Sequence, residues 1–151
     1  MESTGVLYCW GYNSDGQLGR GVKTYQESDP APVSGLDGKV ISQVVANGYS
    51  TCALADGAPY CWGNINYSAT PVAVDTSGAL AGKTITKLVG GNLFACVLAD
   101  GAPYCWGTNG GRPILGNGST GSSAVPVAVD TTGALAGKTI TKLVGGNLFA
   151  C

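Results

Sequence analysis

The chain has 151 residues, a formal net charge of −1, only 11% charged residues and no histidine. That balance gives no basic stripe for electrostatic capture of nucleic acid, and no apolar run approaches the length of a membrane span. It also removes histidine as a base for nucleophilic catalysis and as a metal ligand.

Met1–Trp10, "MESTGVLYCW", carries neither the basic nor the apolar region of a signal peptide. "YCWG" at Tyr8 opens the first of three related units and returns at Tyr60 and Tyr104. A long polar loop, 11–30, follows the first copy. "APVSGLDGKVISQVVANGYSTC" (31–52) then leads into "CALADGAPYCWG" (52–63). After a short loop, 63–70, comes "TPVAVDTSGALAGKTITKLVGGNLFAC" (70–96), and "CVLADGAPYCWG" (96–107) repeats the earlier hairpin words. A second long loop, 107–125, precedes "VPVAVDTTGALAGKTITKLVGGNLFAC" (125–151), which differs from 70–96 only at Thr70/Val125 and Ser77/Thr132. Self-similarity at this period marks a repeat architecture. The units run approximately 8–59, 60–103 and 104–151 within one repeat domain, 1–151, with 1–7 completing a blade.

Each unit reads as four short strands: "PVAV", "KTITKLVG", "LFACVLA" and "APYCWG". Thr, Ile, Val and aromatics occur there at strand-favouring density, and no segment has a helical period. The prediction is an all-β chain.

Asp56-Gly57 is a favoured two-residue type I′ turn. Centring the hairpin on it pairs Ala55 with Ala58, Leu54 with Pro59, Ala53 with Tyr60 and Cys52 with Cys61. Pro59 then falls at a non-hydrogen-bonded site, where its missing N–H costs nothing. Cys52 and Cys61 fall at the next such site, within disulfide reach, and the same holds for Cys96 and Cys105 around Asp100-Gly101. The alternative is a pair of small core thiols that stay reduced. Zinc fits poorly, because eight residues separate the cysteines of each pair.

Cys151 takes the repeat position of Cys52 and Cys96, and Cys9 that of Cys61 and Cys105. Met1 aligns with Ala53. These last two cysteines can pair only across a junction: closure within one chain, contact with a next chain, or the cut edges of a longer parent. Disulfides imply an oxidising compartment, so the expected location is extracellular or periplasmic.

"YCWGYNSDGQLGRG" (8–21) resembles the repeats of the regulator of chromosome condensation family, through Trp10, Gly11, Asn13, Gly16, Gln17, Leu18, Gly19 and Gly21. Asp-Gly before an aromatic and Trp-Gly continues the likeness along the chain. The resemblance implies a β-propeller of four-stranded antiparallel blades. Cysteine beside Trp-Gly is similar to bacterial members with extracytoplasmic roles. The chain departs from the family pattern at its histidine, which falls at Ser50, Phe94 and Phe149. The middle unit lacks the Gly-Gln-Leu-Gly loop, and the third has the looser "GTNGGRPILGNG". Three units are fewer than a propeller ring needs. The expectation is therefore a partial propeller, or a ring or filament completed by oligomers. No residue specific to nucleotide exchange carries over.

"GALAGKT" at 78–84 and 133–139 fails the phosphate-loop spacing and reads as an inter-strand turn. Trp10, Trp62 and Trp106 read as packing residues. Asp56, Asp75, Asp100 and Asp130 read as turn residues with local backbone bonds. No cofactor or metal is implied.

The functional expectation is a non-enzymatic protein-interaction or assembly module, whose partner is another protein or a second copy placed head to tail. The alternatives are a structural subunit of an extracellular fibre or ring, and a carbohydrate-binding propeller. Contacts are expected in the long loops, at Tyr12, Asn13, Asp15, Gln17, Arg20, Lys23 and Tyr25, and in the third unit at Asn109, Arg112, Ile114 and Asn117.

Overall fold

A computed structural model describes residues 5–151, so the part of the 1–7 segment that lies in 1–4 falls outside the described residues. The chain divides into two units, Met1–Val74 and Asp75–Cys151. No helix occurs among the described residues.

In the first unit β1 (Tyr8–Tyr12) and β2 (Gln26–Pro32) form a two-stranded antiparallel sheet. A second sheet holds β3 (Ile41–Asn47), β4 (Ser50–Ala55), β5 (Ala58–Gly63) and β6 (Ser68–Ala73) in sequence order. The second unit holds one four-stranded sheet of β7 (Ile85–Gly90), β8 (Phe94–Ala99), β9 (Ala102–Gly107) and β10 (Ser123–Ala128), again antiparallel and in sequence order. Beyond β10, an isolated bridge joins Gly145 to Ala150.

The Asp-Gly hairpins have the expected register: Ala55 faces Ala58, Leu54 faces Pro59, Ala53 faces Tyr60 and Cys52 faces Cys61. Asp56 and Gly57 sit at φ 50° and 75°, and Asp100 and Gly101 at 48° and 76°. Two consecutive left-handed residues are what a type I′ reversal requires. The Cys52–Cys61 and Cys96–Cys105 pairs are disulfide-bonded, with Cα atoms 4.1 and 4.0 Å apart.

The grouping of strands differs from the sequence expectation by one strand. "PVAV" does not open the sheet of the strands that follow it. It forms β6 and β10, the outer edge of the preceding sheet, against β5 and β9. Proline explains an edge position, because Pro71 and Pro126 have no N–H for a second neighbour. Each four-stranded sheet thus spans 41–73 or 85–128 and straddles two sequence units.

Glycine after tryptophan has a steric cause. Gly63 faces Ser50 with φ +91°, and a Cβ there would lie 2.9 Å from the Ser50 Cα. Trp62 stands at a register shift between Cys61 and Gly63 on the β6 side, and Trp10 at one between Cys9 and Gly11. The extra residues lie on the partner strands, 69–71 of β6 and 28–30 of β2. In the first unit the core gathers Val33, Leu36, Ala53, Ala55 and Trp62. In the second it gathers Val89, Phe94, Leu98, Leu115, Leu143 and the cystine of Cys96 and Cys105.

Candidate functional site

The loop between β1 and β2 is built around one buried amide. Asn13 is fully buried. Its Nδ2 donates to the Val22 carbonyl at 3.1 Å and to Thr24 Oγ1 at 3.0 Å, and its Oδ1 accepts the Leu18 N–H at 3.1 Å. Asn109 repeats the arrangement in the loop between β9 and β10. Its Nδ2 donates to the Ser119 and Gly121 carbonyls at 3.0 and 2.6 Å, and its Oδ1 accepts the Leu115 N–H at 2.8 Å. Gln17 is also buried. Its Nε2 donates to the Gly48 carbonyl, and its Oε1 accepts the Asp15 N–H.

Asn13, Gln17 and Asn109 therefore face inward, because a buried amide is satisfied by its own loop. They hold the loops in shape. Asp15 is engaged as well, accepting from Ser14 Oγ at 2.8 Å and Asn64 Nδ2 at 2.7 Å. Arg20 donates to the carbonyls of Cys9 and Asp29 and lies 3.7 Å from Glu27. Ile114 packs against the second core, and Asn117 is half-buried and accepts the Ser119 N–H. Tyr12, Lys23, Tyr25 and Arg112 remain exposed.

The exposed residues of the first loop include an aromatic cluster. Tyr12 meets Tyr25 edge to face at 5.7 Å and Tyr49 at 6.3 Å. Tyr25 is 74% exposed. Trp10 and Tyr8, on the same face of β1 as Tyr12, are exposed too. A groove of about 350 Å³ beside them is lined by Cys9, Trp10, Tyr12, Ala46, Asn47 and Thr51, among others. Tyr49 and Trp10 escaped the sequence reading as surface residues. Tyr49 lies in a short turn, and Trp10 shares its motif with Trp62 and Trp106, which are both buried.

The electrostatics are those of turns. Asp56 is held below the ordinary carboxylate range by the Val40 N–H and then by Lys39, 3.1 Å away. Asp75 is lowered by the Ser77 hydroxyl and N–H, and Asp130 by those of Thr132. Burial raises the Cys9 thiol, with Arg20 opposing. Cys9 and Cys151 are free thiols, the latter exposed.

Residues 4–54 match the family model described as "Regulator of chromosome condensation (RCC1) repeat". The human probable E3 ubiquitin-protein ligase HERC3 is 37% identical over 67 residues, which cover 44% of this chain and 6% of that protein. The mitochondrial RCC1 domain-containing protein RUG3 of Arabidopsis thaliana is 37% identical over 65 residues, 42% of this chain and 14% of that one. Among solved structures, human WBSCR16 superposes with a TM-score of 0.78 at 24% identity, over 95% of this chain and 39% of its own. Prp20p of Saccharomyces cerevisiae gives 0.80 at 20% identity, over 96% and 38%. At that identity the superpositions carry the fold, that of RCC1 β-propellers, of which this chain is a part. The sequence match and the fold agree: residues 4–54 carry a regulator of chromosome condensation (RCC1) repeat, and the chain spans well under half the length of the relatives it matches.

Proposed function

We propose that the chain is a non-enzymatic protein-interaction module that binds another polypeptide through the exposed aromatic cluster of Tyr12, Tyr25 and Tyr49. The observation that carries this reading is the edge-to-face packing of Tyr12 on Tyr25 above a loop held by the buried Asn13. Tyrosines on a pre-ordered loop give large contact area with little side-chain freedom to lose on binding. One relative by fold, Prp20p (yeast RCC1), is described with protein partners: Gsp1p and histones in one structure, and Kap60 in another. Asp56, Asp75 and Asp130 all have lowered pKa values and bond to backbone or neighbouring hydroxyls. A general acid near neutral pH needs the opposite shift. The two cystines favour an extracytoplasmic setting.

The test is affinity capture from the source cells, comparing the chain with its Tyr12→Ala/Tyr25→Ala variant. A polypeptide retained by the first and lost by the second supports the site. Equal retention by both overturns it. Circular dichroism on both proteins confirms that the fold is unchanged.

A further inference from the structure

The dipeptide Asn-Gly occurs three times, at Asn47-Gly48, Asn109-Gly110 and Asn117-Gly118. Glycine leaves the main-chain nitrogen after an asparagine open to approach, because it carries no Cβ. That nitrogen can attack the side-chain amide of the residue before it. The dipeptide is the same in each case, so the surroundings decide which pair reacts.

Asn109 is held from every side. It is fully buried. Its Nδ2 donates to the Ser119 and Gly121 carbonyls, and its Oδ1 accepts the Leu115 N–H. Its own N–H donates to Ser122 Oγ at 3.1 Å, and its carbonyl accepts the Arg112 N–H at 2.8 Å. Turning this side chain onto its own main chain breaks its bonds and strands two buried acceptors.

Asn47 ends β3 and faces Ser50 in the ladder to β4. The residue after it is tied as well, because the Gly48 carbonyl accepts Gln17 Nε2 at 3.1 Å. The ladder and this bond fix the main chain on both sides of the peptide that would have to rotate.

Asn117 stands apart from both. It lies in the loop between β9 and β10, with Gly118 and Ser119 exposed. Among the described residues neither its Nδ2 nor the Gly118 N–H has an acceptor. Gly118 has φ +75°, and nothing lies within 4 Å of where a Cβ would be. Asn117 Oδ1 accepts the Ser119 N–H at 3.2 Å. Negative charge develops on that oxygen when a nucleophile adds to Cγ, so the Ser119 N–H acts as an oxyanion donor. Asn109 shares the polarised carbonyl, but its leaving group is tied down. Asn117 has the polarised carbonyl, a free leaving group and an open nucleophile together.

We propose that Asn117-Gly118 is a site of spontaneous covalent modification, with water as the reactant and ammonia as the product. The Gly118 nitrogen adds to Asn117 Cγ and forms a C–N bond. Its proton passes to Nδ2, which leaves as ammonia, and a five-membered succinimide closes. Water then opens one of the two ring C–N bonds and gives aspartate or isoaspartate at 117. One water is consumed, one ammonia is released, and no electrons are exchanged. The product adds one negative charge to a chain of net charge −1. In the isoaspartyl form the main chain runs through the former side chain, which lengthens the loop by one carbon. The site shares no residue with the tyrosine cluster, so the two readings fail separately.

The test incubates the folded chain at mildly alkaline pH and maps its peptides by mass spectrometry. Isoaspartate is read by enzymatic methyl transfer, and released ammonia is assayed in parallel. Conversion at Asn117 is expected, with Asn109 slower by roughly tenfold or more, since it reacts only after its hydrogen bonds open. Asn47 is expected to lag as well. In guanidinium, with the cystines reduced and alkylated, the three sites are expected to convert at similar rates. Asn117→Gln disfavours the five-membered ring while keeping the amide, and is expected to abolish most of the ammonia released by the folded chain. Circular dichroism checks that its fold is unchanged. An intact Asn117 in a folded chain whose guanidinium control converts overturns the proposal. So does conversion of Asn109 or Asn47 as fast as Asn117 in the folded chain, or undiminished ammonia release from Asn117→Gln.

Discussion

The indole N–H of Trp62 and the hydroxyl of Thr51 both donate to the carbonyl of Gln17, each at 2.8 Å. The strand pair β4–β5 is thereby fastened to the β1–β2 loop through one oxygen. Trp62→Ala removes a fully buried ring from the first core and is expected to destabilise the first unit by about 3–5 kcal/mol. Trp62→Phe keeps most of the apolar area and loses the bond, which costs about 1–2 kcal/mol, because Thr51 still satisfies the oxygen. Urea titration of both variants separates the two contributions.

Asn13→Ala and Asn109→Ala each leave two partly buried oxygens and one buried N–H without their partner. A loss of about 2–4 kcal/mol is expected for each, from stranded polar groups at roughly 1–3 kcal/mol apiece with partial relaxation. Hydrogen exchange at the Leu18 and Leu115 amides is the direct readout. Both are expected to exchange faster in the respective variant, while β8 amides keep their protection.

Each cystine closes a loop of nine residues in separation. Chain entropy for so short a loop gives roughly 2–3 kcal/mol per bond. Cys52→Ala/Cys61→Ala is expected to lower stability by that amount, with the other hairpin unaffected. Guanidinium unfolding under oxidising conditions, compared with the same variant carrying Cys96→Ala/Cys105→Ala as well, tests whether the two losses add.

Asp56, Asp75 and Asp130 titrate below their ordinary range in the folded chain. A carboxylate lowered by folding adds stability above its unfolded pKa and loses that contribution as pH falls through the folded value. The melting temperature is therefore expected to hold from neutrality down to about pH 4 and to fall below it. Asp75→Asn/Asp130→Asn flattens the acid limb. A melting temperature that rises between pH 4 and pH 3 would contradict the sign.

Cys9 is half-buried with its thiol pKa raised, while Cys151 is exposed. Iodoacetamide at pH 8 is expected to modify Cys151 first. Mass spectrometry after limited labelling reads the order directly.

The hairpins were legible in the sequence because Asp-Gly dictates two positive φ values, and from that turn every register pair follows, down to Cys52 with Cys61. The partner of "PVAV" was not, because loops of variable length flank it on both sides and no tight turn ties it to either neighbour. Only Pro71 and Pro126 hinted at an edge. The copies at 84–96 and 139–151 show the limit of any local reading. One forms β7 and the start of β8, and the other forms a single bridge, although the residues are the same. Strand formation there is decided by what lies alongside. Among the proposed contact residues, Tyr12 and Tyr25 sit where polar-loop logic puts them. Asn13 and Asn109 do not, because a side chain that caps an N–H five or six residues ahead is drawn inward whatever the polarity of its loop.

The cystines bind only neighbouring strands of one hairpin, and neither reaches from Met1–Val74 into Asp75–Cys151. A single proteolytic nick between Val74 and Ile85 would therefore leave two polypeptides with no disulfide joining them, each retaining its own crosslink. Oxidation hardens the two Asp-Gly hairpins individually while leaving the covalent continuity of the molecule to one strand of peptide backbone.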